Sequence, residues 1–145
     1  MNAVPLYSFP AQIESLAPAL AHIKSAAFGT APGTALRAET ALEELLTNSV
    51  IHGNAAQAAS ASIWLAVTAD GESLKLRYED AFAEFDPLSE IGAALQRTSS
   101  HVPVDQRRAG GLGLLMVYRL ADEFRYVREN GRNCIELSFT GRGAH

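Results

Sequence analysis

The chain has 145 residues, of which 48% are hydrophobic and 19% are charged, and its formal net charge is −4. This composition is typical of one globular domain with a buried core, so we expect a single domain over residues 1–145. The lack of a Lys/Arg block argues against a nucleic-acid partner, and no apolar run reaches the roughly 20 residues that span a membrane. With one cysteine, Cys134, and no signal-peptide pattern over residues 1–10, we expect a cytoplasmic protein.

The first half of the chain is predicted to contain two amphipathic helices. Apolar residues recur at helical spacing over residues 11–28 and again over residues 34–52. Pro32-Gly33 separates the two segments, and Gly53 ends the second one.

Two β-hairpins are predicted from alternating apolar and polar residues on either side of a turn. The turns are Asp70-Gly71 and Asn130-Gly131, dipeptides that favour two-residue hairpin loops. With a short edge strand near the N-terminus, the predicted strands cover residues 4–9, 62–68, 73–80, 123–129 and 133–140.

The segment between the hairpins is predicted to contain a short helix over residues 88–96, a polar, mobile loop over residues 97–111 and a helix over residues 112–121. The order of elements predicts an α+β fold. In this two-layer α/β sandwich, helices cover one face of a mostly antiparallel sheet.

The second helix carries three polar residues on one face. Glu44, Asn48 and His52 are spaced i, i+4 and i+8, so their side chains lie one above another. A carboxylate can take a proton from a hydroxyl, and an amide oxygen is a neutral ligand for Mg²⁺. This spacing suits a magnesium-nucleotide site, and a solvated polar face is the alternative interpretation.

A glycine cluster, Gly110-Gly111-Leu112-Gly113-Leu114, opens the helix after the loop. Glycines expose backbone N–H groups, and a helix N-terminus favours an anion, so this segment could cradle phosphates. It lacks the Gly-Lys-Ser/Thr of a Walker loop and the third glycine of a dinucleotide-binding fingerprint. A hinge is the alternative.

Asp80 ends the second strand of the first hairpin. A carboxylate at a strand end can accept a hydrogen bond from an exocyclic amine, and a turn-initiating aspartate is the alternative interpretation.

The order of these elements resembles the anti-sigma-factor serine/threonine kinases, a branch of the gyrase, heat-shock-chaperone, histidine-kinase and MutL superfamily. Four segments carry the resemblance over nearly the whole chain. They are AETALEELLTNSVIHG (38–53), similar to the N box, DAFAEFDP (80–87), similar to the adenine box, GGLGLLMVYRLADEFRY (110–126), similar to the glycine box, and RENGRNCIELSF (128–139), similar to the closing hairpin.

The resemblance implies a histidine-kinase-like ATPase fold and a role for each matching residue. Glu44 matches the general base, Asn48 the magnesium ligand and Asp80 the residue that binds the adenine amine, with residues 88–109 as the lid. The implied nucleotide-binding positions are Asn48, His52, Asp80, Phe82, Gly110, Gly111, Leu112, Gly113 and Leu114. The implied cofactors are ATP and Mg²⁺. The implied partners are an anti-anti-sigma-type regulatory protein, a sigma factor and a second copy of the chain in a homodimer.

The sequence departs from the family pattern at two positions: Phe82 replaces the adenine-box glycine, and Glu84 replaces its proline. The Phe82 ring either stacks on the base or fills the purine cavity. The joint presence of Glu44, Asn48, Asp80 and the glycines favours a retained site.

Three functions follow as hypotheses. The first is a kinase that phosphorylates a small regulatory protein, and the second is a catalytically decayed partner-binding module of the same fold. The third, a detached histidine-kinase catalytic domain, is disfavoured because no helical hairpin carries a phosphoacceptor histidine.

Overall fold

The structure, a computed structural model, describes residues 4–53, 61–99 and 109–141. These residues form one five-stranded antiparallel sheet, in the strand order β1-β2-β3-β5-β4, and four α-helices. The elements are β1 (Tyr7–Pro10), a 3₁₀ turn (Ile13–Ser15), α1 (Leu16–Ala26), α2 (Pro32–His52), β2 (Ser62–Asp70), β3 (Ser73–Asp80), α3 (Pro87–Ser99), α4 (Ala109–Leu120), β4 (Glu123–Glu129) and β5 (Arg132–Phe139). None of the helices in these ranges has the length and apolar character needed to cross a membrane.

The two hairpins form as predicted. Asn130 and Gly131 have φ angles of 54° and 73°, as a two-residue loop between twisted strands requires. Gly71, with φ of 62°, turns the chain between β2 and β3. The central pairing joins β3 to β5 and places Asp80 directly opposite Asn133.

The α2 helix lies at the centre of the helical layer. Pro32 starts the helix at a position where its missing N–H costs nothing, so it extends the predicted segment rather than breaking it. The N–H of Gly53 closes the helix by donating to the Ser49 carbonyl at 2.8 Å. The buried face of α2 packs on the sheet and contains Ala38, Ala41, Leu42, Leu45 and Leu46.

The predicted bounds of the loop over residues 97–111 are wrong at both ends. The α3 helix continues to Ser99, and α4 begins at Ala109, three residues before the predicted start. Residues 100–108, the middle of the predicted loop, lie outside the described residues. The predicted helix over residues 11–28 also differs, because it opens as a 3₁₀ turn before α1 begins.

Arg37 on α2 joins the helix to the sheet at the end away from Asp80. Its guanidinium donates to the Leu120 carbonyl at 3.0 Å and to the Thr140 carbonyl. It also lies 3.5 Å from Asp122 Oδ2, which accepts a hydrogen bond from the Thr140 N–H at 2.7 Å. Arg37 therefore holds the ends of α4 and β5 together.

The Asp122 carboxylate should make folding stability depend on pH. Partial burial raises its pKa, but hydrogen bonds from Thr140 and Arg37 outweigh that effect, so the pKa lies below its ordinary value. A lowered folded-state pKa gives stabilisation that is present above the unfolded-state pKa of about 3.9 and is lost as the pH falls through the folded value.

We therefore expect Asp122→Asn to lower the free energy of unfolding at pH 6 by about 1 kcal/mol, a modest loss because solvent partly screens the pair. Urea unfolding between pH 6 and pH 3 should show the parent and the variant converging at the acid end. A gap that stays constant across this range would contradict the assignment.

Candidate active site

A cavity of about 520 Å³ opens where the end of α2 meets the end of β3. Its volume lies within the range of about 300–1,000 Å³ that is usual for small-molecule sites. The residues that line it are Asn48, Ser49, His52, Gly53, Asp80, Ala81, Phe82, Ala83, Glu84, Phe85, Arg128 and Asn133.

The polar face of α2 is divided between this cavity and α4. Asn48 is half-buried, His52 is exposed, and both line the cavity. Glu44, one turn earlier, lies against Gly113 instead, because a methyl group at Gly113 would overlap Glu44 Oε2. Glu44 therefore lies where α2 meets the start of α4.

Three groups within residues 4–53, 61–99 and 109–141 donate hydrogen bonds to Asp80. Its Oδ2 accepts from the Ser49 hydroxyl at 2.8 Å, and its Oδ1 accepts from the Phe82 N–H at 3.2 Å and the Asn133 amide at 2.9 Å. An ionised carboxylate offers about four acceptor positions. Among these contacts, one position on Oδ2 remains open for a ligand.

Two buried hydroxyl groups, those of Tyr78 and Ser49, form a hydrogen-bonded relay that orients Asp80. A carboxylate can only accept, so Ser49 donates to Asp80, and Tyr78 must donate to Ser49, across 2.7 Å. Burial raises the pKa of Tyr78 well above its ordinary value, despite the opposing hydrogen bond with Ser49. Tyr78 therefore stays protonated, and the direction of both hydroxyl groups is fixed.

Asn133 is a site residue that the sequence reasoning missed. Its amide nitrogen donates to Asp80 and to the Ala83 carbonyl, each at 2.9 Å. Its oxygen accepts from the Phe85 N–H at 3.0 Å and from the Tyr126 hydroxyl at 2.7 Å. The signal that could have revealed it is a polar residue on the inward face of β5, which otherwise consists of Ile135, Leu137 and Phe139.

Phe82 lies against the end of α2. The residue is only 7% exposed, and a methyl group at Gly53 would come within 2.6 Å of its ring. The Phe82 carbonyl accepts from Arg128 at 2.7 Å, so the segment after β3 is held on both sides. The ring forms part of the cavity wall, and about 520 Å³ remains beside it. Glu84, the second departure from the family pattern, is an exposed lining residue.

The glycine cluster lies in the first turns of α4. Gly110, Gly111 and Leu112 have helical backbone. The next two residues differ: Gly113 faces Glu44, whereas the Leu114 side chain is buried in the core. The Leu114 side chain is therefore not available to a ligand.

Within the described ranges, no three His, Cys, Asp or Glu side chains are grouped so as to hold a metal ion. Mg²⁺ commonly takes only one or two protein ligands together with substrate phosphates. Asn48, whose amide oxygen is a neutral ligand, lines the cavity wall. The site therefore fits a magnesium ion that arrives with a nucleotide.

A protein-family model agrees with this architecture. The model of the family described as "Histidine kinase-like ATPase domain" matches residues 9–139. A similar solved structure is the histidine kinase domain from the Erythrobacter litoralis EL346 blue-light activated histidine kinase, with a TM-score of 0.49 and 17% sequence identity. The match covers 92% of this chain and 62% of that one, so the chain spans less than two thirds of that structure. No curated protein matches the sequence significantly.

Proposed function

The chain belongs to the histidine kinase-like ATPase domain family, and we propose that it is an ATP-dependent serine/threonine kinase of the anti-sigma-factor type. Membership supports an ATP-binding, kinase-type function in general. The observation that carries the nucleotide-binding part of the proposal is Asp80, which keeps one acceptor position open among the described contacts, at a cavity also lined by Asn48. The anti-sigma-factor type rests on the resemblance of residues 38–53, 80–87, 110–126 and 128–139 to that family. The substrate in this proposal is a small regulatory protein of a bacterial partner switch.

In this proposal the nucleotide lies between α2 and α4. The adenine amine donates to Asp80 Oδ2, with His52 and Phe82 on the cavity walls, and the phosphates lie near the start of α4, at Gly111 and Gly113. Asn48 would provide a ligand for Mg²⁺, and the ion would supply positive charge to the phosphates. The exposed N–H groups at the N-terminus of α4 carry partial positive charge, which also favours the phosphates.

Glu44 is the proposed general base. Its carboxylate takes the proton from a serine or threonine hydroxyl of the partner as the hydroxyl oxygen bonds to the γ-phosphorus. The bond to the β–γ bridging oxygen breaks, and ADP leaves. Positioning and electrostatic stabilisation supply most of the rate in such transfers.

The first test is whether ATP with Mg²⁺ stabilises the folded chain. At 100 times the dissociation constant, a ligand that binds only the folded state adds about 2.7 kcal/mol to the free energy of unfolding. Asn48→Ala should reduce this gain at the same ATP concentration, because the metal loses a protein ligand. A parent whose melting temperature is unchanged by ATP with Mg²⁺ would contradict nucleotide binding.

A second candidate function is a partner-binding module without turnover. The buried Phe82 ring beside Gly53, together with the three protein donors on Asp80, favours this alternative. In both proposals the partners are an anti-anti-sigma-type regulatory protein and a sigma factor, and the chain forms a homodimer. Transfer of labelled γ-phosphate to a co-purified partner separates the kinase from the binding module.

A further inference from the structure

The two oxygens of Asp80 differ in how fully the protein occupies them. Oδ1 accepts from both the Phe82 N–H and the Asn133 amide, which fills its two acceptor positions. Among the residues that the structure describes, only Ser49 donates to Oδ2, which leaves one acceptor position on that oxygen. A ligand in the cavity therefore meets a carboxylate that can take one further hydrogen bond.

Asn133 holds this arrangement because its side-chain amide cannot flip. The residue is 5% exposed, and its side-chain nitrogen faces three acceptors, Asp80 and the carbonyls of Phe82 and Ala83. Its oxygen faces the N–H of Phe85 and the hydroxyl of Tyr126. In a flipped amide the Asn133 oxygen would face the oxygens of Asp80 and Ala83, and its nitrogen would face the donors of Phe85 and Tyr126. These buried groups would then lack hydrogen-bond partners, which costs substantial folding free energy.

The two common purines present different donors to such a carboxylate. Adenine offers its exocyclic amine beside an acceptor nitrogen, so one open acceptor position is sufficient. Guanine offers two adjacent donors, the ring N–H and the 2-amino group, which suit a carboxylate with both oxygens open, and it places an oxygen where adenine has its amine. A site that leaves a donor of the wrong base unpaired discriminates strongly against that base.

We propose that Asn133 is a specificity-determining residue: by occupying Asp80 Oδ1, it restricts the carboxylate to one ligand donor and so selects adenine over guanine nucleotides. This inference rests on the proposed nucleotide-binding function. Asn133 acts through Asp80 and is a positioning residue.

The test compares Mg²⁺·ATP and Mg²⁺·GTP binding by calorimetric titration in the parent, Asn133→Leu and Asn133→Ala. Both substitutions remove the donor to Oδ1, so the preference for ATP should fall by about tenfold or more. Tyr126→Phe is the matched control. It removes the hydroxyl that donates to the Asn133 oxygen but leaves the Asp80 contact, so its preference should stay within about twofold of the parent.

A parent that binds ATP, with an unchanged ATP-to-GTP ratio in both Asn133 variants, would overturn the inference and leave the proposed function standing. A parent that binds neither nucleotide would overturn both. If the two variants fail to fold, the side-chain amide signals of Asn133 in the NMR spectrum of the parent decide. These signals should remain protected from exchange when Mg²⁺·ATP binds, and loss of that protection would overturn the inference.

Discussion

Replacing Glu44 with glutamine is expected to lower phosphate transfer by about 10²–10⁴-fold while ATP still binds, because an amide cannot accept the hydroxyl proton. The substitution keeps the shape of the side chain where α2 meets α4. The measurement is transfer of labelled γ-phosphate to the partner, beside a titration of ATP binding. A variant that transfers phosphate like the parent would show that Glu44 is not the base.

Gly113 offers a way to move the same carboxylate without changing it. A methyl group at this position would overlap Glu44 Oε2, the far end of a flexible side chain, so the carboxylate must shift while α4 stays intact. Gly113→Ala should therefore lower transfer and keep the fold. Gly92→Ala is the matched control, because it also lies within a helix but meets nothing within 4 Å. Both substitutions raise helix propensity by up to about 1 kcal/mol, so this effect is the same in the two variants. Because only Gly113→Ala displaces the Glu44 carboxylate, only this variant should change transfer.

Local chemistry explains which elements the sequence predicts well. The Asn130-Gly131 turn requires positive φ at both residues, and the observed φ angles meet that requirement. The i, i+4 spacing of Glu44 and Asn48 follows from helix geometry alone. These features depend on residues that are close in sequence, so pattern and propensity are sufficient.

The contacts that complete the site depend on residues far apart in the chain. Asn133 meets Asp80 only because β5 pairs with β3 in one particular register, which no local pattern specifies. Ser49 fits the apolar stripe of α2, yet its hydroxyl is half of the relay to Asp80. The start of α4 was predicted too late because glycines lower helix propensity, whereas packing against α2 and α3 stabilises the helical backbone there.

Replacement of Phe82 is expected to destabilise the fold strongly. The ring is almost fully buried against Gly53, so Phe82→Ala should lower the free energy of unfolding by about 3–5 kcal/mol. Urea denaturation of the parent and the variant measures this loss. A much smaller loss would show that the ring is not packed where the structure places it.

In the complex with ATP, the Phe82 ring either stays in the cavity wall or moves and stacks on the base. With only 7% of the residue exposed, the ring has little free face for a base, and the cavity remains open beside it. We therefore expect Phe82→Leu, which keeps an apolar wall, to bind ATP within a few-fold of the parent. If the ring moves and stacks on the base, the same substitution should weaken binding by about 5- to 150-fold, since stacking contributes roughly 1–3 kcal/mol.

Phe82→Gly decides between the kinase and the decayed module. It restores the glycine that the adenine-box pattern carries and removes the wall, so a retained site predicts a destabilised protein with no gain in ATP affinity. A site blocked by the ring predicts the opposite: a parent that binds no ATP and a Phe82→Gly variant that binds it tightly. Calorimetric titration of both proteins with Mg²⁺·ATP, at a temperature where the variant is folded, distinguishes the two. The second result would overturn the kinase proposal, because the open position on Asp80 would then be inaccessible in the natural sequence.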